Sequence, residues 1–117
     1  MRSNRALKAW YREINTRFFE NELTDNVCVR WAEEEDEEYD LASTDLADDG
    51  RHKYVILLNR EKNTTRSIML GSLIHEMVHV ATELRDNHGS VFDGWRAVLA
   101  QRGIFKKGAV ARRLTLF

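Results

Sequence analysis

The chain has 117 residues, 43% of them hydrophobic and 32% charged, with a net charge of -1. That fits one small folded domain with a single core and argues against disorder. A near-neutral chain has no global basic footprint, so any nucleic-acid contact needs a local patch. Cys28 is the only cysteine, which excludes an intramolecular disulfide and any Cys-based zinc site and fits a reducing compartment. The N-terminal stretch lacks an uninterrupted apolar run, so it does not read as a signal peptide, and no run reaches membrane-spanning length. The expected location is cytoplasmic, without membrane contact.

In chain order, Leu7, Trp10, Tyr11, Ile14 and Phe18 follow the helical period and predict an amphipathic helix over about 4–21. "NVCVRW" alternates and predicts a strand. The acidic run "EEEDEE" (33–38) reads as a solvated loop. "YDLASTDL" and "KYVILLNR" predict two strands joined through "ADDGRH", whose Asp-Asp-Gly is a hairpin turn signal. "NTT" (63–65) offers helix N-caps before a helix from about Arg66 to Arg85. A last helix is expected over about 90–102, with Ser90 as a candidate cap at its start and Gly103 ending it. The fold class is therefore α+β: one helix, three strands in a small antiparallel or mixed sheet, then two helices.

The stretch "SLIHEMVHVATELRDNHGSVF" holds three of the four histidines. His75 and His79 stand four apart on a predicted helix, which puts their rings one turn apart on one face. With Glu76 they form H-E-x-x-H, the zincin pattern of two metal-binding imidazoles and a general base. Leu70, Leu73, Ile74, Met77, Ala81 and Leu84 form an apolar stripe. At about 100° per residue the two histidines lie nearly opposite it, which suits the floor of a cleft. Gly71, one turn before His75, would let another backbone approach. A catalytic zinc needs a third protein ligand and an open position. His88 is the candidate, with Gly89 giving the chain room to turn back. Thr82 and Arg85 stand where the metzincin pattern needs Gly and His, and no Glu follows Glu83 to serve as a gluzincin ligand.

"LKAWYREINTRFFENELTDNVCVRW", "YVILLN" and "LIHEMVHVATELRDNHGSVFDGW" resemble the SprT-like zinc metallopeptidase domain of the Spartan/SprT family, over about residues 6–102. The resemblance implies a zincin-like fold in a domain of residues 1–106, followed by a basic and apolar tail over 107–117. It implies one Zn2+ per chain on His75, His79 and His88, with Glu76 as catalytic acid and base. It also implies hydrolysis of protein substrates, including DNA-bound or DNA-crosslinked proteins. The zinc ribbon of many bacterial relatives has no counterpart here, since the chain has no CxxC.

On this reading the zinc polarises a scissile carbonyl and acidifies a bound water, whose proton Glu76 takes. Tyr39, Tyr54, His52 and Arg85 are candidate donors to the oxyanion. Asp93 is a candidate partner orienting a ligand imidazole. Phe92 and Trp95 read as packing that fixes His88. The strand "KYVILLN" or its neighbour is expected to edge the cleft and accept an extended substrate by strand addition. Two groups of cations, Arg2, Arg5, Lys8, Arg12 and Arg17, and Arg102, Lys106, Lys107, Arg112 and Arg113, form a candidate DNA patch if they converge. Two rival functions remain: a protease that cleaves a repressor-type regulator, and a zinc-stabilised nucleic-acid-binding module that does not cut. The sequence leaves the oligomeric state open.

Overall fold

A computed structural model describes residues 3–33, 36, 41–85 and 89–104. Its elements are α1 (Asn4–Phe18), β1 (Val27–Trp31), β2 (Ala42–Leu46), β3 (Tyr54–Leu58), α2 (Arg66–Ala81) and α3 (Ser90–Gln101). The molecule is a small α+β fold with a mixed sheet ordered β1-β3-β2. β3 runs parallel to β1 and antiparallel to β2. No helix among the described residues is long and apolar enough to cross a membrane.

Strand alternation decides which side of the sheet is buried. Val27, Val29 and Trp31 register against Tyr54, Ile56 and Leu58, and all six belong to one apolar cluster. Cys28, Arg30 and Val55 point the other way and are only half-buried. α1 adds Leu7, Trp10, Tyr11, Ile14 and Phe18 to that cluster, and α2 adds Met69, Leu70, Leu73, Met77, Val78 and Val80. Two helices therefore share one face of the sheet, α1 over β1 and α2 over β2 and β3. α3 packs against α2.

Caps explain where the helices begin and end. Ser3 and Thr65 accept hydrogen bonds from the N–H groups of Ala6 and Ile68, at 3.1 and 3.2 Å. α3 begins differently from expectation. Its N-cap is Gly89, which has no side-chain cap bond, and Ser90 is already helical. At the other end Gly103, at φ 86°, follows the C-cap Arg102, as a glycine after a helix should.

Two helices stop short of the span their apolar period predicts. α1 ends at Phe18 because Glu20 and Asn21 turn left-handed, at φ 53° and 60°. α2 ends at Ala81 because Glu83 and Leu84 do the same, at φ 55° and 62°. The N–H of Leu84 reaches the carbonyl of His79 and the N–H of Glu83 reaches that of Val80, both at 3.0 Å. This is a Schellman stop built without glycine, so composition alone does not announce it.

α2 is also more enclosed than one stripe implies. Leu70, Leu73 and Met77 are buried, but so are Glu76, Val78 and His79. α3 covers the flank that a single-stripe reading leaves to solvent. Gly71 is the opposite case. No backbone approaches it, and a Cβ built there meets nothing within 4 Å. A mid-helix glycine costs about 1 kcal/mol relative to alanine, and packing gives no reason for this one.

Candidate metal centre

α2 brings His75 and His79 together as their spacing requires. Their ring centroids are 5.1 Å apart, with the planes crossed at 74°. His75 is exposed and His79 is at the edge of burial. Phe92, on the buried side of α3, lies 4.9 Å from each imidazole, centroid to centroid. Its ring braces both side chains, which limits the rotamers available to them. The sequence reading tied Phe92 and Trp95 to His88. Phe92 supports the first two histidines and Trp95 packs on Phe19, the C-cap of α1, at 5.2 Å, while His88 lies outside the described residues.

Glu76 points to the other flank of α2, towards β2. Only 6% of it is exposed. The hydroxyl of Thr44 donates to its Oε1 at 2.7 Å, with the backbone carbonyl of Glu76 at 3.3 Å. Burial pushes the Glu76 carboxyl up to about 7; the Thr44 hydrogen bond pulls it down and the nearby Asp45 pushes it up. A carboxyl tuned towards neutrality beside two imidazoles suits proton transfer at neutral pH. Thr44 is the residue that sequence reading missed. The signal was present in the alternation of β2, because Ala42 and Thr44 face the same side as Leu58 and Ile56, their partners on β3.

Around these groups lie three clefts. One, of about 470 Å3, lies between α2 and β2 and is lined by Ala42, Thr44, Asp45, His75, Glu76 and His79 among others. A second, of about 450 Å3, continues past Leu41, Ile68 and Gly71. A third, of about 410 Å3, opens on the α3 side of His75. His75 lines all three.

The two imidazoles fit half of a zinc site: neighbouring nitrogen donors on one helical face, over open space. Among the described residues no group of three or more His, Cys, Asp or Glu is placed to hold an ion. A third protein ligand would have to come from outside that set. His88, the expected one, lies outside the described residues, as does Tyr39.

The remaining candidates separate. Tyr54 is buried in the core cluster. His52 sits in the β2–β3 turn with its Nδ1 2.6 Å from Asp49, which holds it there. Arg85 is exposed beyond the end of α2 and pairs with Glu83 at 2.9 Å. Asp93 lies in the first turn of α3 and lines the cleft beside His75. Of these four, only Asp93 lines a cleft with a candidate ligand.

Among the described cations of the candidate DNA patch, Lys8, Arg12 and Arg102 have partners within the chain. Lys8 donates to the carbonyls of Asp25 and Val27, and Arg12 makes a two-pronged pair with Asp25 at 3.0 Å. Arg102 donates to the carbonyl of Phe18 at 2.6 Å, closing the end of α1. Lys8 and Arg102 thus tie segments of the fold together, whereas Arg12 and Asp25 pair at the surface. In the acidic run, Asp36 takes a two-pronged bond from Arg30, at 2.9 and 3.2 Å. Arg2, Lys106, Lys107, Arg112 and Arg113 lie outside the described residues.

Compared with protein-family models, curated proteins and solved structures, the chain matches none of them.

Proposed function

We propose that the chain is a zinc metallopeptidase of SprT-like type with a zincin-like fold, which hydrolyses peptide bonds in protein substrates. The observation that carries this is the placement of Glu76. It is a buried carboxyl fixed by Thr44, on the same helix turn as two adjacent imidazoles, beside an edge strand. Metal ligation alone needs the histidines; a buried acid held towards the cleft needs a further reason, and proton transfer supplies it.

His75 and His79 would hold the ion, and His88 would complete the ligand set. When bound, zinc supplies Lewis acidity at the scissile carbonyl and lowers the pKa of water. Glu76 accepts the proton that water gives up as its oxygen bonds to the carbonyl carbon. It returns that proton to the amine as the C–N bond breaks. Thr44 holds the Glu76 carboxyl towards the cleft throughout.

β2 is the strand that receives substrate. It is an edge of the described sheet. The bonds from Ala47 N–H to Lys53 and from Asn59 N–H to Leu41 fix its hydrogen-bond phase. By alternation, Ala42, Thr44 and Leu46 turn their backbone groups away from β3. An extended polypeptide can pair with them and pass over His75 and Glu76.

The net charge of -1 and the engagement of Lys8 and Arg102 with backbone carbonyls support a protease that acts without DNA. The test is cleavage of a denatured protein by zinc-loaded chain, with and without duplex DNA, and after chelation. The expected result is cleavage that DNA does not stimulate and that chelation abolishes. Cleavage that survives chelation contradicts the metallopeptidase. Strict dependence on DNA contradicts the DNA-independent form.

A further inference from the structure

The cleft on the α3 side of His75 differs in its lining from the two that reach Glu76. Its walls are Ile74 and Val78 of α2 and Phe92 and Leu99 of α3. Phe92 and Leu99 are buried, so the walls are fixed by the core rather than by mobile surface groups. The charged lining residues besides His75 are Asp93 and Arg96, both exposed on α3. A volume of about 410 Å3 is at the small end of ligand pockets and suits one large side chain rather than a whole ligand.

Gly71 supplies the second observation. It lies mid-helix, lines both this cleft and the one that runs to β2, and packs against nothing. Alanine would make a better helix here. Gly94 also packs against nothing, but it lines neither cleft. What distinguishes Gly71 is that any side chain on it would enter the passage between the edge strand and the apolar cleft.

We propose that this cleft is a recognition pocket that takes a large apolar side chain of the polypeptide substrate, and that Gly71 keeps its mouth open. The proposal rests on the peptidase reading for its substrate class. An extended chain lying along β2 and over His75 passes the mouth at Gly71, so the residue that enters the pocket flanks the scissile bond. Aliphatic and aromatic side chains gain by burial against Ile74, Val78 and Leu99. A carboxylate loses hydration against the same walls without a buried partner.

The test uses the full chain, kept metal-free with chelator. N-acetyl-leucine amide and N-acetyl-aspartate amide are titrated while the methyl resonances of Ile74, Val78 and Leu99 are followed. The expected result is saturable shifts with the leucine amide, at least about tenfold tighter than with the aspartate amide. Gly71→Leu abolishes them while the melting temperature is kept or raised, because a Cβ there meets nothing within 4 Å and leucine favours the helix over glycine. Equal responses to the two amides overturn the pocket, as does an unchanged response in Gly71→Leu. Since the readout needs no turnover, a failure of the peptidase reading appears separately, as absent cleavage by zinc-loaded wild type.

Discussion

Glu76→Gln lowers peptide cleavage by about a thousandfold and leaves metal content unchanged. Glutamine keeps the volume of the side chain and its carbonyl oxygen. Thr44 can still donate to that oxygen, so the local geometry survives. What is lost is the ability to accept a proton from water and to return it to the leaving amine. The variant separates the roles of one helix turn: His75 and His79 bind, Glu76 moves the proton. Cleavage by Glu76→Gln at the wild-type rate, measured with metal content held equal, contradicts the assignment.

The same substitution stabilises the metal-free fold at alkaline pH. The folded protein holds the Glu76 proton up to about pH 7, against an ordinary value of 4.5. Between those two values the folded state binds more protons than the unfolded one. Stability from this group is therefore complete below about 4.5, falls as pH rises, and levels off above about 7. The loss is on the order of 3 kcal/mol, and Glu76→Gln removes it. By denaturant unfolding with chelator present, the variant exceeds wild type by that order at pH 8.5 and equals it near pH 4. The difference between the two proteins isolates Glu76, since Asp25, Asp36 and Asp49, whose ion pairs and hydrogen bonds hold them below the usual range, are common to both. A bound cation beside Glu76 favours the carboxylate and shrinks the gap. Equal stability at pH 8.5 without metal contradicts the buried, uncompensated carboxyl.

A residue that is poor for stability and good for chemistry is what a functional site looks like in energetic terms. Glu76 and Gly71 are two such residues, on one helix. Glu76 is buried where a neutral side chain is more stable. Gly71 breaks helix propensity where alanine fits. Both face the clefts that meet at His75.

Much of the fold was legible in local pattern. The period of α1, the alternation of β1, the apolar run of β3 and the Asp-Asp-Gly hairpin each predict an element, and each element is present. So is the pairing of the two histidines, because a four-residue spacing on a helix fixes it without any tertiary information. The helix ends were not legible. They depend on Glu20, Asn21, Glu83 and Leu84 adopting left-handed backbone, which ordinary residues do only when the surrounding fold holds them there. Contacts between distant segments were also hidden. Thr44 on Glu76 spans 32 positions, and Phe92 meets both imidazoles from another helix. The partners of the α1 cations were hidden as well, because composition shows charge but not what it pairs with. Asp25, which engages two of them, lies in a loop whose position the sequence does not give.

Metal analysis of the full chain, purified without chelator, tests the proposed zinc site most directly. One zinc per chain in wild type, lost or bound at least tenfold more weakly in each of His75→Ala, His79→Ala and His88→Ala, is the expected result. Wild-type protein that takes up no zinc even when titrated with it contradicts the metal centre. Full affinity in His88→Ala contradicts the third ligand and leaves the first two in place.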